Sequence, residues 1–186
     1  MTRTPRPRPF RPAALLALSL LPLLGACGRG GGDILSQRPQ APCPRVAVLA
    51  DAVDLTRYGA GASGAVELQA RMLQPVGSCD YAPGSAGLDV TLVVQVEAER
   101  GIGTLRTADL PYVVAVTDEA EGRVLNRGAD TVRVIFAGNE RRTAAQGEQM
   151  MVRIPGDVRR AAEKVVLIGF QLTPEELAAN RRRGPR

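Results

Sequence analysis

Few residues of this chain are of a type and spacing that could do chemistry. The stretch GAGASG, Gly59 to Gly64, fits the pattern G-x-G-x-x-G, follows the apolar run VAVLA, and has an acid, Asp80, about twenty residues on. Glycines so spaced let a backbone approach a dinucleotide pyrophosphate at a helix N-terminus, with the acid on a ribose hydroxyl. That geometry needs a tight turn from strand to helix. Here the apolar run ends at Ala50, eight residues lie between it and Gly59, and the following VELQARM alternates apolar and polar residues as a strand does. The motif therefore reads as a surface loop, and no cofactor is expected.

Hydrolytic chemistry has poor raw material. The chain contains no histidine, which excludes Ser-His-Asp and Cys-His schemes and histidine metal ligation. A Ser-Lys pair would have to use Lys164, the only lysine, at the start of a strand. The serines after Cys27 are Ser36, Ser63, Ser78 and Ser85, all in loop-like settings. Asp51 and Asp54, in ADAVDL, are close enough in sequence for a carboxylate site or a hard cation, but they read as charged turn residues. Tyr58 and Tyr81 flank loops and are the rings best placed for stacking, although packing with the hydroxyl in water is the simpler role. No catalytic, cofactor-binding or metal-binding residue is expected.

The cysteines are more informative. The chain opens with four arginines and no acid through Pro12. The run AALLALSLLPLL, Ala13 to Leu24, follows. Twelve helical residues rise about 18 Å, short of a hydrocarbon core of about 30 Å. A basic start, a short apolar run and small residues after it make a secretory signal peptide over residues 1–26. The ending Leu24-Gly25-Ala26-Cys27 resembles the lipobox of bacterial lipoproteins, in which the cysteine is lipidated and becomes the first residue after cleavage. The glycine-rich CGRGGG and the following SQRPQAP then read as a flexible tether over residues 27–42. Cleavage would remove four of the 24 basic residues and none of the 19 acids, leaving 20 − 19, a charge of +1. Nucleic acid is thereby disfavoured as a partner. The remaining basicity gathers at Arg181-Arg182-Arg183 and Arg186, a solvated tail or a contact for an anionic surface.

Setting Cys27 aside leaves Cys43 and Cys79, an even pair in an oxidising compartment and too few thiolates for a structural zinc site. A Cys43–Cys79 disulfide is the expectation. Between and beyond them the dominant pattern is period two. From Asp89, DVTLVVQVEAER places Val90, Leu92, Val94, Val96 and Ala98 on one face, with Val93 the exception. RVAVLAD, AVELQARML, LPYVVAVTD, RVLNRG, TVRVIFAG, EQMMVRIP and KVVLIGFQL are strand-like as well, and DEAEG suits a hairpin turn. The fold class expected is all-β: a single antiparallel β-sandwich of seven to eight strands over residues 43–172, fibronectin-III- or immunoglobulin-like. The chain has no tryptophan, Cys43 precedes the first strand and Cys79 reads as a loop residue, so the immunoglobulin cysteine arrangement is absent. The expected core is Val46, Val48, Val66, Leu68, Val90, Leu92, Val94, Val96, Val114, Val116, Val132, Val134, Phe136, Val152, Ile154, Val166 and Ile168. LTPEELAANRRR carries a capping-box signature. It predicts a short helix within residues 173–186, loosely laid on the domain.

The lipobox, CPRVAVLADAVDLTRY, GSCDY, LPYVVAVTD and GFQLTPEELAANR together resemble a group of uncharacterised proteobacterial envelope lipoproteins. That resemblance implies location and a small exported domain, and it brings no catalytic residues to this chain. The expected function is a membrane-anchored, non-enzymatic interaction or structural module, held to the membrane through lipid on Cys27. An envelope protein partner would meet it at a sheet edge or in the Leu110–Asp118 region. A ligand-binding lipoprotein with a pocket between the sheets or at a loop end is the alternative, and a carboxylate enzyme is the least favoured. Gly28, where an aspartate would favour the inner membrane, tilts the location toward the outer one.

Overall fold

The computed structural model describes residues 40–59, 64–101 and 104–184. The signal segment, Cys27, most of the tether, Ser36, Ser63 and the interior of GAGASG lie outside the described residues.

Among the described residues the strands are β1 (Arg45–Val48), β2 (Asp54–Tyr58), β3 (Val66–Met72), β4 (Val76–Tyr81), β5 (Gly87–Val93), β6 (Gln95–Arg100), β7 (Thr107–Asp118), β8 (Arg123–Ile135), β9 (Arg142–Gln146), β10 (Met150–Pro155) and β11 (Val165–Phe170). The helices are α1 (Val158–Ala162) and α2 (Pro174–Arg183). The sheet orders are β1-β11-β7-β8, β2-β3-β6-β9 and β10-β5-β4. The chain is all-β with two short helices, as its alternation predicts. Pairing is antiparallel except that β1 runs parallel to β11, Arg45 opposite Val165 through Val48 opposite Ile168.

Strand number differs from the expected seven or eight. β2, β4 and β9 form where the sequence shows little apolar alternation. β4 (VGSCDY) and β9 (RTAAQ) are edge strands with mostly exposed faces, so neither needs an apolar stripe. Cys79, expected in a loop, accordingly sits on β4. RVLNRG and TVRVIFAG are one strand, β8, paired with β7 along its whole length across the DEAEG turn.

The stretch from Asp89 to Arg100 reads as one strand and is shared by two sheets. β5 pairs with β4 and β10, while β6 pairs with β3 and β9. Val94 lies at the junction. Hydrogen bonding continues across it: the Gly147 N–H donates to the Val94 carbonyl at 2.9 Å, and the Leu73 N–H to that of Gln95 at 2.9 Å. The inward row Leu88, Val90, Leu92, Val94, Val96, Ala98 and Arg100 is buried throughout, none more than 7% exposed. All the expected core residues are buried except Val46, Val48 and Val66, which are half-buried. Tyr112 joins the core fully buried, and room for it comes from Gly147. A Cβ there would stand 3.2 Å from both the Tyr112 hydroxyl and Val132 Cγ2.

Arg100 ends the row. Its guanidinium donates to the carbonyls of Leu105 at 2.7 Å and Gly138 at 3.0 Å and lies 5.4 Å from the centroid of the Phe136 ring. A buried cation held by two carbonyls and a ring face meets its hydrogen-bonding needs without a carboxylate.

α2 corrects a second expectation. Its capping box forms as predicted, the Thr173 side chain accepting from Glu176 N–H and the Glu176 carboxylate from Thr173 N–H. Yet the helix is docked, not loose. Asn180 is buried, and its Nδ2 donates to the carbonyls of Asp51 at 2.9 Å and Asp54 at 2.7 Å. Arg181 pairs with the Asp51 carboxylate at 2.9 Å.

Asn180→Ala would leave both carbonyls facing a void. A loss of about 1–3 kcal/mol is expected in urea unfolding, together with less helical circular dichroism. Unchanged stability with intact helix signal would show that α2 is held by something else.

Candidate functional site

Of the residues singled out for chemistry, Asp51, Asp54 and Lys164 are tied into the scaffold by ion pairs. The GAGASG segment connects β2 to β3 as the loop of an antiparallel pair. It is closed by the Gly59 N–H donating to the Ala65 carbonyl at 3.0 Å. A strand, β3, follows it and not a helix, as the alternation of VELQARM predicts. Asp80 lies on β4, in another sheet. Asp51 and Asp54 do not converge on one point: Arg181 holds the first and Arg71 the second, at 3.0 Å. Among the described residues no group of three or more acids or cysteines is placed to hold a metal ion.

Lys164 belongs to a compact polar knot. Its Nζ lies 2.6 Å from Asp118 Oδ2, while Asp118 Oδ1 accepts from the N–H groups of Ala120 and Glu121 at 3.1 and 3.3 Å. The lysine hydrogen bond, aided by those turn amides, lowers the Asp118 pKa. The knot fixes the β7–β8 turn against the start of β11. Ser78 lies on β4 and Ser85 in the turn before β5, both exposed.

Two further carboxylates are lowered by bidentate arginine partners directly across a strand pair. Arg153 holds Asp89 at 2.7 Å through both oxygens, and Arg133 holds Asp109 at 2.7 and 3.0 Å. The most perturbed group is Tyr112. Burial first, then the nearby Asp130 and Glu148 carboxylates, push its phenol up to about 12. Its hydroxyl meets Asp130 Oδ2 at 3.3 Å beneath Gly147. The ring plugs the core, so this perturbation reports packing.

Two of the surface recesses among the described residues contrast in their lining. One, of about 610 Å³, lies on β2-β3-β6-β9 and is crossed by two rows of outward residues: Asp54, Arg71 and Glu97, then Thr56, Gln69, Glu99 and Arg142. Glu99 pairs with Arg142 at 3.0 Å, and Arg183 reaches down from α2 to Thr56 Oγ1 at 3.5 Å. Charges of both signs alternate here, a surface suited to polar contacts. The other, of about 530 Å³, lies over β1-β11-β7-β8, between α2 and the 3-10 turn Ala50–Ala52. Its lining is mostly apolar, with Val113, Leu172 and Leu177 beside the charged residues Asp51, Arg127 and Arg181.

Comparison with known families, curated proteins and solved structures returns no match. The chain's own chemistry carries its interpretation.

Tyr58 and Tyr81 stand exposed, at 60% and 39%, rather than packed. The Leu110–Asp118 segment is the interior strand β7, flanked by β11 and β8, so its backbone is not open to a partner. The free edges of that sheet are β1 and β8. Arg127 and Asn180 were not legible as site or docking residues, since an arginine within a polar-looking strand and an asparagine within AANRRR carry no local signal.

The phenol of Tyr112 titrates higher folded than unfolded, so its contribution to stability is complete below about pH 10 and is lost as pH rises toward about 12. Urea unfolding across that window should show the decline in the native chain and a smaller one in Tyr112→Phe. Identical alkaline limbs would contradict the assignment. The lowered Asp118 acts in the opposite sense: its contribution is present above the ordinary carboxylate range and lost as pH falls below it.

Proposed function

We propose that this chain is a membrane-anchored lipoprotein of the bacterial envelope, acting as a non-enzymatic interaction or structural module. The observation that carries this reading is the partition of the three cysteines. Cys43 and Cys79 form a disulfide, Cα atoms 5.7 Å apart, which ties the segment before β1 to the edge strand β4. Such a bond belongs to an oxidising compartment. It leaves one cysteine, Cys27, at the end of a signal-like segment and within LGAC. Lipid on that thiol plus a second acyl chain would give the two signals that stable anchoring needs.

The body is proposed to be a two-layer β-sandwich. β3 and β4 follow one another along one side of β6 and β5, and β9 and β10 along the other. Those six strands with β2 make one bent layer facing β1-β11-β7-β8. Buried side chains from all three sheets form a single cluster. The parallel β1–β11 pair favours a generic sandwich over the fibronectin-III pattern. The interaction role is supported by the ion-pairing of each of Asp51, Asp54, Asp89, Asp109 and Asp118 with an arginine or lysine, which fits scaffold positions better than an acid–base pair. The free edges β1 and β8 are the places where a protein partner could add a strand. An outer-membrane location is the favoured one.

Mass spectrometry of the chain purified from membranes, mapped without reduction, tests the proposal. An acylated N-terminal Cys27, a linked Cys43–Cys79 peptide pair, and release of Cys27→Ala from the lipid-modified pool are expected. An uncleaved chain with three free thiols would overturn it.

A further inference from the structure

The two four-stranded sheets differ in kind where their outward faces are recessed. On β2-β3-β6-β9 each cross-strand row carries charge. On β1-β11-β7-β8 the corresponding row is Ala47, Leu167, Ala115 and Arg127: three apolar residues ending in one cation. The next row, Gly169, Val113 and Ala129, has no charge at all. A wall stands over this floor because residue 169 is glycine. A Cβ there would lie 2.8 Å from Ala52 Cβ, so only glycine lets the 3-10 turn sit directly on β11. The opposite wall is α2, set in place by Asn180, with Leu177 and Arg181 turned to the recess. Arg181 is tied to Asp51 through Nε. Arg127 is exposed and none of the described residues gives its side chain an ion-pair partner.

We infer that this cleft binds a single-chain anionic amphiphile of the fatty-acid type, its carboxylate at Arg127 and its chain along Val113, Leu172 and Leu177. The volume of about 530 Å³ lies within the range of small-molecule sites. The occupant follows from charge complementarity. Asp51 and Arg181 offset one another as an ion pair, so Arg127 is the excess charge of the lining, and an apolar bed with one excess cation favours an anion with an apolar body over a neutral lipid or a polar anion. The inference does not rest on lipidation of Cys27, because the cleft is built wholly from residues 49–181.

The test is photolabelling of the full chain in neutral phosphatidylcholine vesicles with a diazirine derivative of dodecanoate, followed by peptide mapping. Labelling should concentrate on the peptides carrying Val113 and Leu177. Dodecanoate should compete, decanoate about tenfold more weakly for its two missing methylenes, and dodecanol poorly for want of a charge. Arg127→Glu should cut labelling about tenfold, whereas Arg159→Glu, the same charge change on α1, should leave it unaltered. Arg127 is exposed, so its variant tests binding without threatening the fold. Labels spread over the surface, equal competition by dodecanol, or indifference to Arg127→Glu would each overturn the site. Labelling of the whole outer face only when the vesicles are made anionic would assign this face to the membrane surface and also overturn it.

Discussion

The structure depends on one unbroken row of inward side chains. From Leu88 to Arg100 every second residue is buried, although the strand that carries them changes sheets at Val94. Side-chain direction in a strand has a strict period of two, so inserting or deleting one residue at the junction would turn half the row outward. The row keeps its register because the ladder keeps its hydrogen bonds on both sides of Val94. Each Leu or Val buried there contributes roughly 1.5–3 kcal/mol of transfer free energy. Four neighbouring strands are thereby fixed at once: β3 and β9 at one end, β4 and β10 at the other.

The elements at the edges of the molecule are held by polar contacts of a specific kind. Arg100 closes the end of the row by satisfying two turn carbonyls, and the Lys164–Asp118 knot closes the β7–β8 turn. Asn180 does the same for α2 by meeting two carbonyls of the segment entering β2. Burial makes such groups costly when unpaired and strongly positioning when paired. Their effect on the surface is direct. α2, once placed, supplies Arg183 to the charged recess and Leu177 to the apolar one. One buried amide thus shapes both candidate surfaces.

Much of this was legible in the residues. Alternation located most of the core because burial on one face leaves a period-two imprint, and cysteine parity located the disulfide. The missed strands share a physical reason. β4 and β9 are edges with little to bury, so VGSCDY and RTAAQ read as loops. The junction at Val94 left no mark, because alternation passes straight through it. The docking of α2 was misjudged because Leu177 was its sole obvious apolar contact, whereas the holding group is polar. No pattern announces that an asparagine will find two carbonyls more than a hundred residues away in sequence. The cleft over β1-β11-β7-β8 depends on the same long-range placement.

Native-state hydrogen exchange of the amides from Leu88 to Arg100 tests most directly whether that row acts as one unit. If it does, the Val90 and Val96 amides, in the two different sheets, exchange with the same opening free energy, equal to that of global unfolding. Two distinct opening free energies divided at Val94 would show that the sheets open separately, and the row would then be two short strands that happen to be aligned.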